Sequence, residues 1–325
     1  MKYITQEEID QYAHGPTEAA HILPASSYCQ KVVDRFYGCD DLFQAHHKMP
    51  WSKTHGSVSF RPAEVTVWSG YNGSGKSMLL GQIMLGIMSQ NGKVCIASME
   101  MKPEATIARM TRQASGVKEP TIPYIREFSA WTDDKLWIFD QQGTVNFGRI
   151  LNVCRYSADQ LKINHVVIDS LMKCGINSDD YNLQKTFLDN LCACAKDNNV
   201  HIHLVAHARK GETEQKFIDK MSVKGASEIT DMADNVFTIW RNKRKEDEQT
   251  QLDPDKKVMN MPDVYLTCEK QRHGEWEGKI TLWFHKDSLQ YVAQDGGRPI
   301  DFIGLSNKQE NDRERELERE AIRNE

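Results

Sequence analysis

The 325-residue sequence lacks a long apolar run, a cysteine framework and a marked excess of charge of either sign. Its most apolar helical stretch, Met78 to Met88, is too short to span a bilayer, and the first residues, Met-Lys-Tyr-Ile-Thr-Gln-Glu-Glu, carry no apolar signal core. The 8 cysteines are scattered, with only Cys192 and Cys194 close together, which suggests neither a disulfide lattice nor a four-ligand zinc site. A net charge of −5 argues against a protein that coats nucleic acid with its whole surface, although local basic loops escape such an average. No internal repeat is visible. These absences leave a soluble, cytoplasmic type of chain, long enough for one large α/β domain with appendages or for two small domains.

What is present begins with Gly70-Tyr71-Asn72-Gly73-Ser74-Gly75-Lys76-Ser77. This is a complete phosphate-binding loop, flanked by a β-branched and aromatic run (Glu64 to Ser69) and by helix formers from Met78 onward. Glycines let backbone N–H groups turn around a phosphate chain, the helix N-terminus adds positive dipole, Lys76 reaches the β and γ phosphates and Ser77 takes Mg²⁺. Chance alone yields such a pattern in roughly one chain in a hundred of this length.

From Glu64 onward apolar strands alternate with helical stretches: Lys93 to Ser98, Lys135 to Phe139, His165 to Asp169, His201 to Ala206, Asn235 to Trp240, Val264 to Lys270 and Lys279 to Phe284. That alternation predicts a mostly parallel sheet flanked by helices. Residues 1–59 read as an N-terminal arm, with a short helix from Gln6 to about Ala13 opened by the capping box Thr5/Glu8. Residues 60–300 read as the core domain and 301–325 as a charged tail. The polar stretch between Arg241 and Pro262 reads as a solvated excursion between two strands.

Several polar residues stand at strand ends. Asp169 closes an apolar run, where an acid can hold Mg²⁺ through water or simply cap a turn. Glu100, in Ser-Met-Glu-Met, can deprotonate an attacking water or serve as an acid at a helix start. His207 ends a third strand, as a γ-phosphate contact or a satisfied histidine. Lys270 and Arg272 alternate in an extended segment and so project to one side, as arginine fingers do or as a charged hairpin rim does.

Jointly, these residues resemble the DnaB-like hexameric replicative helicases, with closest affinity to the helicase half of phage primase-helicases and Twinkle. The resemblance spans roughly Phe60 to Val292 and is carried by Arg-Pro-Ala-Glu-Val-Thr-Val-Trp-Ser-Gly before the loop, Ser98-Met99-Glu100-Met101, Val167-Ile168-Asp169-Ser170, Ala206-His207, Met232-Ala233-Asp234-Asn235 and Lys270-Gln271-Arg272 with Gly274. It implies a RecA-like core in a six-membered ring that moves 5′ to 3′ on single-stranded DNA and opens forked DNA. ATP, or another NTP or dNTP, would lie with Mg²⁺ at subunit interfaces. Glu100 would be the base, Asp169 the metal-side acid and His207 the phosphate sensor. Lys270 and Arg272 would come from the neighbouring subunit. Arg241 would sit near the phosphates, and Phe284 would pack on the base. DNA would meet Lys173 on one loop and Arg209, Lys210, Lys216, Lys220 and Lys224 on another. Relatives often carry Gln where Asp231 stands. Nothing before Phe60 resembles a primase, so primase and polymerase are expected as separate partners, in a phage or prophage setting within the bacterial cytoplasm. A RecA- or RadA-like recombinase and an ATP-binding adaptor or loader are the alternatives.

Overall fold

The computed structural model describes residues 24–37, 46–176, 180–208 and 227–304. The helix expected at Gln6 to Ala13, the basic positions Arg209, Lys210, Lys216, Lys220 and Lys224, and the tail from residue 305 lie outside the described residues. The chain divides into two compact units, Met1–Ala45 and His46–Glu325. In the first, a 3-10 turn (Ala25–Tyr28) leads into the helix Cys29–Tyr37.

In the second unit β1 (His47–Lys48) and β2 (Ser59–Phe60) form a small antiparallel pair. The main sheet contains β3 (Val65–Gly70), β4 (Val94–Ser98), β5 (Leu136–Ile138), β6 (His165–Asp169), β7 (His201–His207), β8 (Asn235–Arg241), β9 (Val264–Gln271), β10 (Gly278–His285) and β11 (Gln290–Val292). Their spatial order is β11-β10-β9-β8-β3-β7-β6-β4-β5. Pairing is parallel from β5 through to β8, after which β9, β10 and β11 are added antiparallel. The mostly parallel α/β architecture expected from the sequence is therefore present, with an antiparallel meander on one side.

Alternation along the strands sends side chains to both faces. Trp68, Val167 and Val205 join the core formed with the helices Lys76–Ser89, Pro103–Ser115 and Ile122–Thr132. Val65, Val67, Val166, Ile168, Ile202 and Leu204 face the helices Phe147–Asp159 and Tyr181–Asp197. A sheet covered on both sides explains the near-continuous apolar runs of its central strands. Helix starts follow local chemistry: Thr121, Asn146 and Asp180 accept from Tyr124, Gly148 and Leu183 N–H groups, while Gly116, at φ 75°, ends the helix Pro103–Ser115.

Two expectations are corrected. Residues 46–59, read as part of the arm, belong to the core: Met49, Trp51 and Val58 are buried with Phe60, Trp68 and Leu79, and Trp51 Nε1 donates to the Tyr291 carbonyl at 2.6 Å. Each such side chain contributes about 1.5 to 3 kcal/mol on burial, enough to recruit a stretch whose mixed composition gives no strand or helix signal. The excursion after Arg241 is not simply solvated either. It forms the short helices Lys243–Glu248 and Lys256–Met259, and the buried Lys245 pairs with Asp263 at 2.9 Å and donates to the Met261 carbonyl.

At the end of the sheet away from the phosphate loop, four histidines are buried under β3, β6 and β7. Trp68 Nε1 donates to His203 Nδ1 at 3.2 Å, so His203 presents Nε2–H to His165 Nδ1 at 3.1 Å, and His165 in turn presents Nε2–H to His47 Nδ1 at 2.9 Å. His201 lies beside them, between Thr66 Oγ1 and the Arg61 carbonyl. Each ring is thereby fixed as one neutral tautomer.

Candidate nucleotide site

Strand register assembles the site. Gly70 on β3 is level with His207 on β7, and Ser98 on β4 is level with Asp169 on β6, so four strand ends meet at one carboxyl edge. Gly73 and Gly75 have φ of 73° and 87°, and Gly75 precedes the helix Lys76–Ser89. Only glycine takes these values without strain. Space matters as well, since a Cβ on Gly75 would lie 2.2 Å from the Tyr291 hydroxyl.

A cavity of about 880 Å³ opens over the loop, lined by Lys76, Ser77, Glu100, Asp169, His207 and Arg241 among others. Lys76 is nearly buried, and its ammonium donates to the Gly70 and Tyr71 carbonyls, each at 2.8 Å. Burial depresses its pKa to about 8, against the opposing charges of Asp169 and Glu100. Burial raises the Asp169 carboxyl above its usual range, opposed in part by a hydrogen bond from Ser77. Ser77 and Asp169 thus offer a paired hydroxyl and carboxylate facing the cavity, a hard oxygen set that fits Mg²⁺. Among the described residues no group of three or more His, Cys, Asp or Glu could hold a metal by side chains alone. Mg²⁺ accords with that, because it keeps several waters and takes substrate phosphates as ligands.

Glu100 is held at the rim: Ser170 Oγ donates to its Oε1 at 3.0 Å, and His207 Nε2 lies 3.9 Å from the same oxygen. The Arg241 Nη1 donates to the Gly73 carbonyl at 3.1 Å, while its Nε is bonded to Glu246. Arg241 therefore reaches the loop of its own subunit. Lys173, expected on a DNA loop, lines the same cavity. Phe284 is not among the cavity-lining residues; it packs against Tyr291 with ring centroids 5.4 Å apart.

Lys270 and Arg272 are elsewhere. Gln271 on β9 is level with Asn235 on β8, which is level with Thr66 on β3, four residues below Gly70. At about 3.3 Å per residue they stand roughly 13 Å down the sheet from the loop, besides the sideways offset of two strands. Lys270 Nζ donates to the Thr230 and Asp231 carbonyls, and Arg272 binds Asp234.

Sequence reasoning missed two residues of this neighbourhood. Arg109, on the helix Pro103–Ser115, donates to the Ser77 carbonyl at 3.2 Å, lines the cavity and lies close enough to Asp169 for its charge to be felt. Nothing in its local sequence separates it from an ordinary helix arginine. Tyr291, buried with its hydroxyl at Gly75, sits on a three-residue strand too short to carry a periodic signal.

The model of the DnaB-like helicase C terminal domain matches residues 53–293. The chain belongs to the DnaB-like helicase family. The start of that match at residue 53 agrees with the core beginning before Phe60. Among solved structures, this DnaB-like chain is similar to one described as an ATPase domain, with a TM-score of 0.59 and 15% identity over 72% of this chain and 85% of that one. It is similar also to a DnaB-like replicative helicase solved with its interactions with primase, with a TM-score of 0.66 and 14% identity over 88% of this chain and 73% of the other. At such identities these two likenesses speak for the RecA-like fold, and the domain match speaks for an ATP-driven helicase of DNA replication. Among the described residues no helix of this DnaB-like chain is long and apolar enough to cross a membrane.

Proposed function

We propose that the protein is a ring-forming, ATP-driven 5′ to 3′ translocase on single-stranded DNA that unwinds forked duplexes, its ring hexameric, and that adjoining subunits complete each other's sites. Lys76 and the loop N–H groups hold the phosphates, Glu100 takes a proton from the attacking water, and His207 contacts the γ-phosphate. Ser77 and Asp169 would hold Mg²⁺, which would supply neutralisation of the charge on the phosphates. Arg241 supports the loop from within the subunit. Lys270 and Arg272 serve the neighbour's nucleotide, and Phe284 meets a base at the subunit boundary. The basic positions Arg209, Lys210, Lys216, Lys220 and Lys224, with Lys173, contact the DNA backbone without reading sequence.

One observation carries this reading. The base, the metal-side pair and the phosphate lysine share one cavity, while the two finger cations of the same chain lie at the opposite edge of the sheet. That separation supports a role of Lys270 and Arg272 towards another subunit. Separate primase and polymerase chains in a phage or prophage replisome are the proposed partners; for the primase alone, the similar helicase solved with its interactions with primase lends support. Forked substrates carrying a single 5′ or 3′ arm test the polarity: unwinding should need the 5′ arm, and unwinding from the 3′ arm alone would reverse it. Particle mass with and without nucleotide tests the ring. Arg272→Ala should lower hydrolysis by about 10³ to 10⁵, and wild-type turnover would remove the arginine from the reaction.

A further inference from the structure

Asp234 lies in the turn between the helix Ser227–Met232 and β8, and only 2% of it is exposed. A buried carboxylate is costly unless every oxygen finds a partner. Here one oxygen, Oδ1, lies 3.2 Å from Arg272 Nη1, and the other, Oδ2, accepts from Val65 N–H at 2.9 Å. The backbone of the same residue is tied at both ends: its N–H donates to the Val65 carbonyl at 3.0 Å, and its carbonyl accepts from Arg272 N–H at 2.8 Å. Arg272 Nη2 donates to the Met232 and Asp231 carbonyls at 3.0 and 3.3 Å. The guanidinium is thus held through both terminal nitrogens, Nη1 by the buried carboxylate and Nη2 by two backbone carbonyls, while the side chain remains 39% exposed.

We propose that Asp234 is a positioning residue that fixes the direction in which Arg272 presents the exposed side of its guanidinium charge to a phosphate of the adjoining subunit. This rests on the in-trans reading above. An unrestrained arginine loses rotamer freedom when it engages a phosphate, and a planar guanidinium is effective only when aimed. Anchoring at Asp234 removes that freedom beforehand, so the charge is in place when the transition state forms. Displacing a catalytic group by about 1 Å can cost on the order of 100-fold in rate. Asp234 touches neither substrate nor reacting atoms, so its effect is on turnover through Arg272.

Asp234→Asn tests this, because it keeps the shape and leaves an acceptor for Val65 N–H while removing the charge. Steady-state hydrolysis of radiolabelled ATP should fall on the order of 10- to 100-fold in kcat, with fluorescent-nucleotide affinity unchanged. Adding Asp234→Asn to Arg272→Ala should slow the residual rate no further, since a positioning residue has no effect once its client is gone. Three results would overturn the proposal: wild-type kcat in Asp234→Asn, a parallel loss of nucleotide affinity, or an equal slowing in the wild-type and Arg272→Ala backgrounds. The last two would mean that Asp234 acts through β3 and its own loop. Should Asp234→Asn yield no folded protein, Asp234→Glu keeps the charge, shifts the guanidinium and is read in the same way. Wild-type hydrolysis by Arg272→Ala would overturn the in-trans reading itself, and this proposal with it.

Discussion

Raising the pH through the titration of Lys76 should weaken nucleotide binding by a calculable amount. In the free protein the ammonium is buried against two carbonyls and titrates near pH 8, below the ordinary lysine value of 10.5. A bound triphosphate surrounds it with negative charge and returns its pKa to at least the ordinary value. Below pH 8 lysine is charged in both states and affinity is flat. Above pH 8 the free site has lost the proton that the complex holds, so binding takes one up and affinity falls. With these two pKa values the dissociation constant rises about tenfold at pH 9 and approaches a hundredfold at pH 10, and about 0.9 proton is absorbed at pH 9. Isothermal titration calorimetry at pH 9 in two buffers of different ionisation enthalpy measures that proton directly. Lys76→Arg provides the control, because arginine does not titrate in this range. Affinity that stays level from pH 7 to 10, or heats independent of buffer, would refute the reasoning.

Three further outcomes follow from the site and the core. Glu100→Gln should bind nucleotide as the native chain does but lose most turnover, measured by phosphate release, and near-normal hydrolysis would sink its assignment as the base. Gly75→Ala places a Cβ 2.2 Å from the Tyr291 hydroxyl at a φ of 87°, so it should cost about 1 to 3 kcal/mol in strain and weaken nucleotide binding. Tyr291→Phe in that background should restore binding only in part, because it removes the clash and leaves the dihedral; full binding by Gly75→Ala alone would contradict the geometry. Burial depresses His47 and His201 to about pKa 4, and His165 and His203 are pushed well below 6.5. Above pH 6.5 these rings are neutral whether folded or not. As pH falls from 6.5 towards 4 the unfolded chain takes up protons that the folded chain refuses, so stability should decline by at least two protons' worth, about 2.7 kcal/mol per pH unit. Urea midpoints across that window measure the slope, and a level midpoint would show the rings to be accessible.

Much of the site was legible because its residues sit at the ends of locally encoded strands. The octapeptide from Gly70, the acid after Val166-Val167-Ile168 and the histidine after Leu204-Val205-Ala206 each follow an apolar run, and parallel pairing brings such ends to one edge. Arg109 and Tyr291 could not be read that way. Each is placed by packing between elements distant in sequence, through the Ser77 carbonyl in one case and the space over Gly75 in the other. Met49 and Trp51 were misassigned for the same reason, since their burial depends on β11 and on apolar residues of the helix Lys76–Ser89. Asp234 stood inside a segment that carried the family resemblance, yet its contacts with Val65 and Arg272 join residues 169 and 38 positions away.

The reversal of direction at β9 also bears on thrift. Because that strand runs against β8, each chain carries Lys270 and Arg272 away from its own loop. Under the proposed reading a newly made, unassembled chain is a nucleotide reservoir that scarcely burns what it holds. Turnover per chain should then climb with protein concentration and level off once rings are complete, so dilution serves as an idle setting that requires no inhibitor.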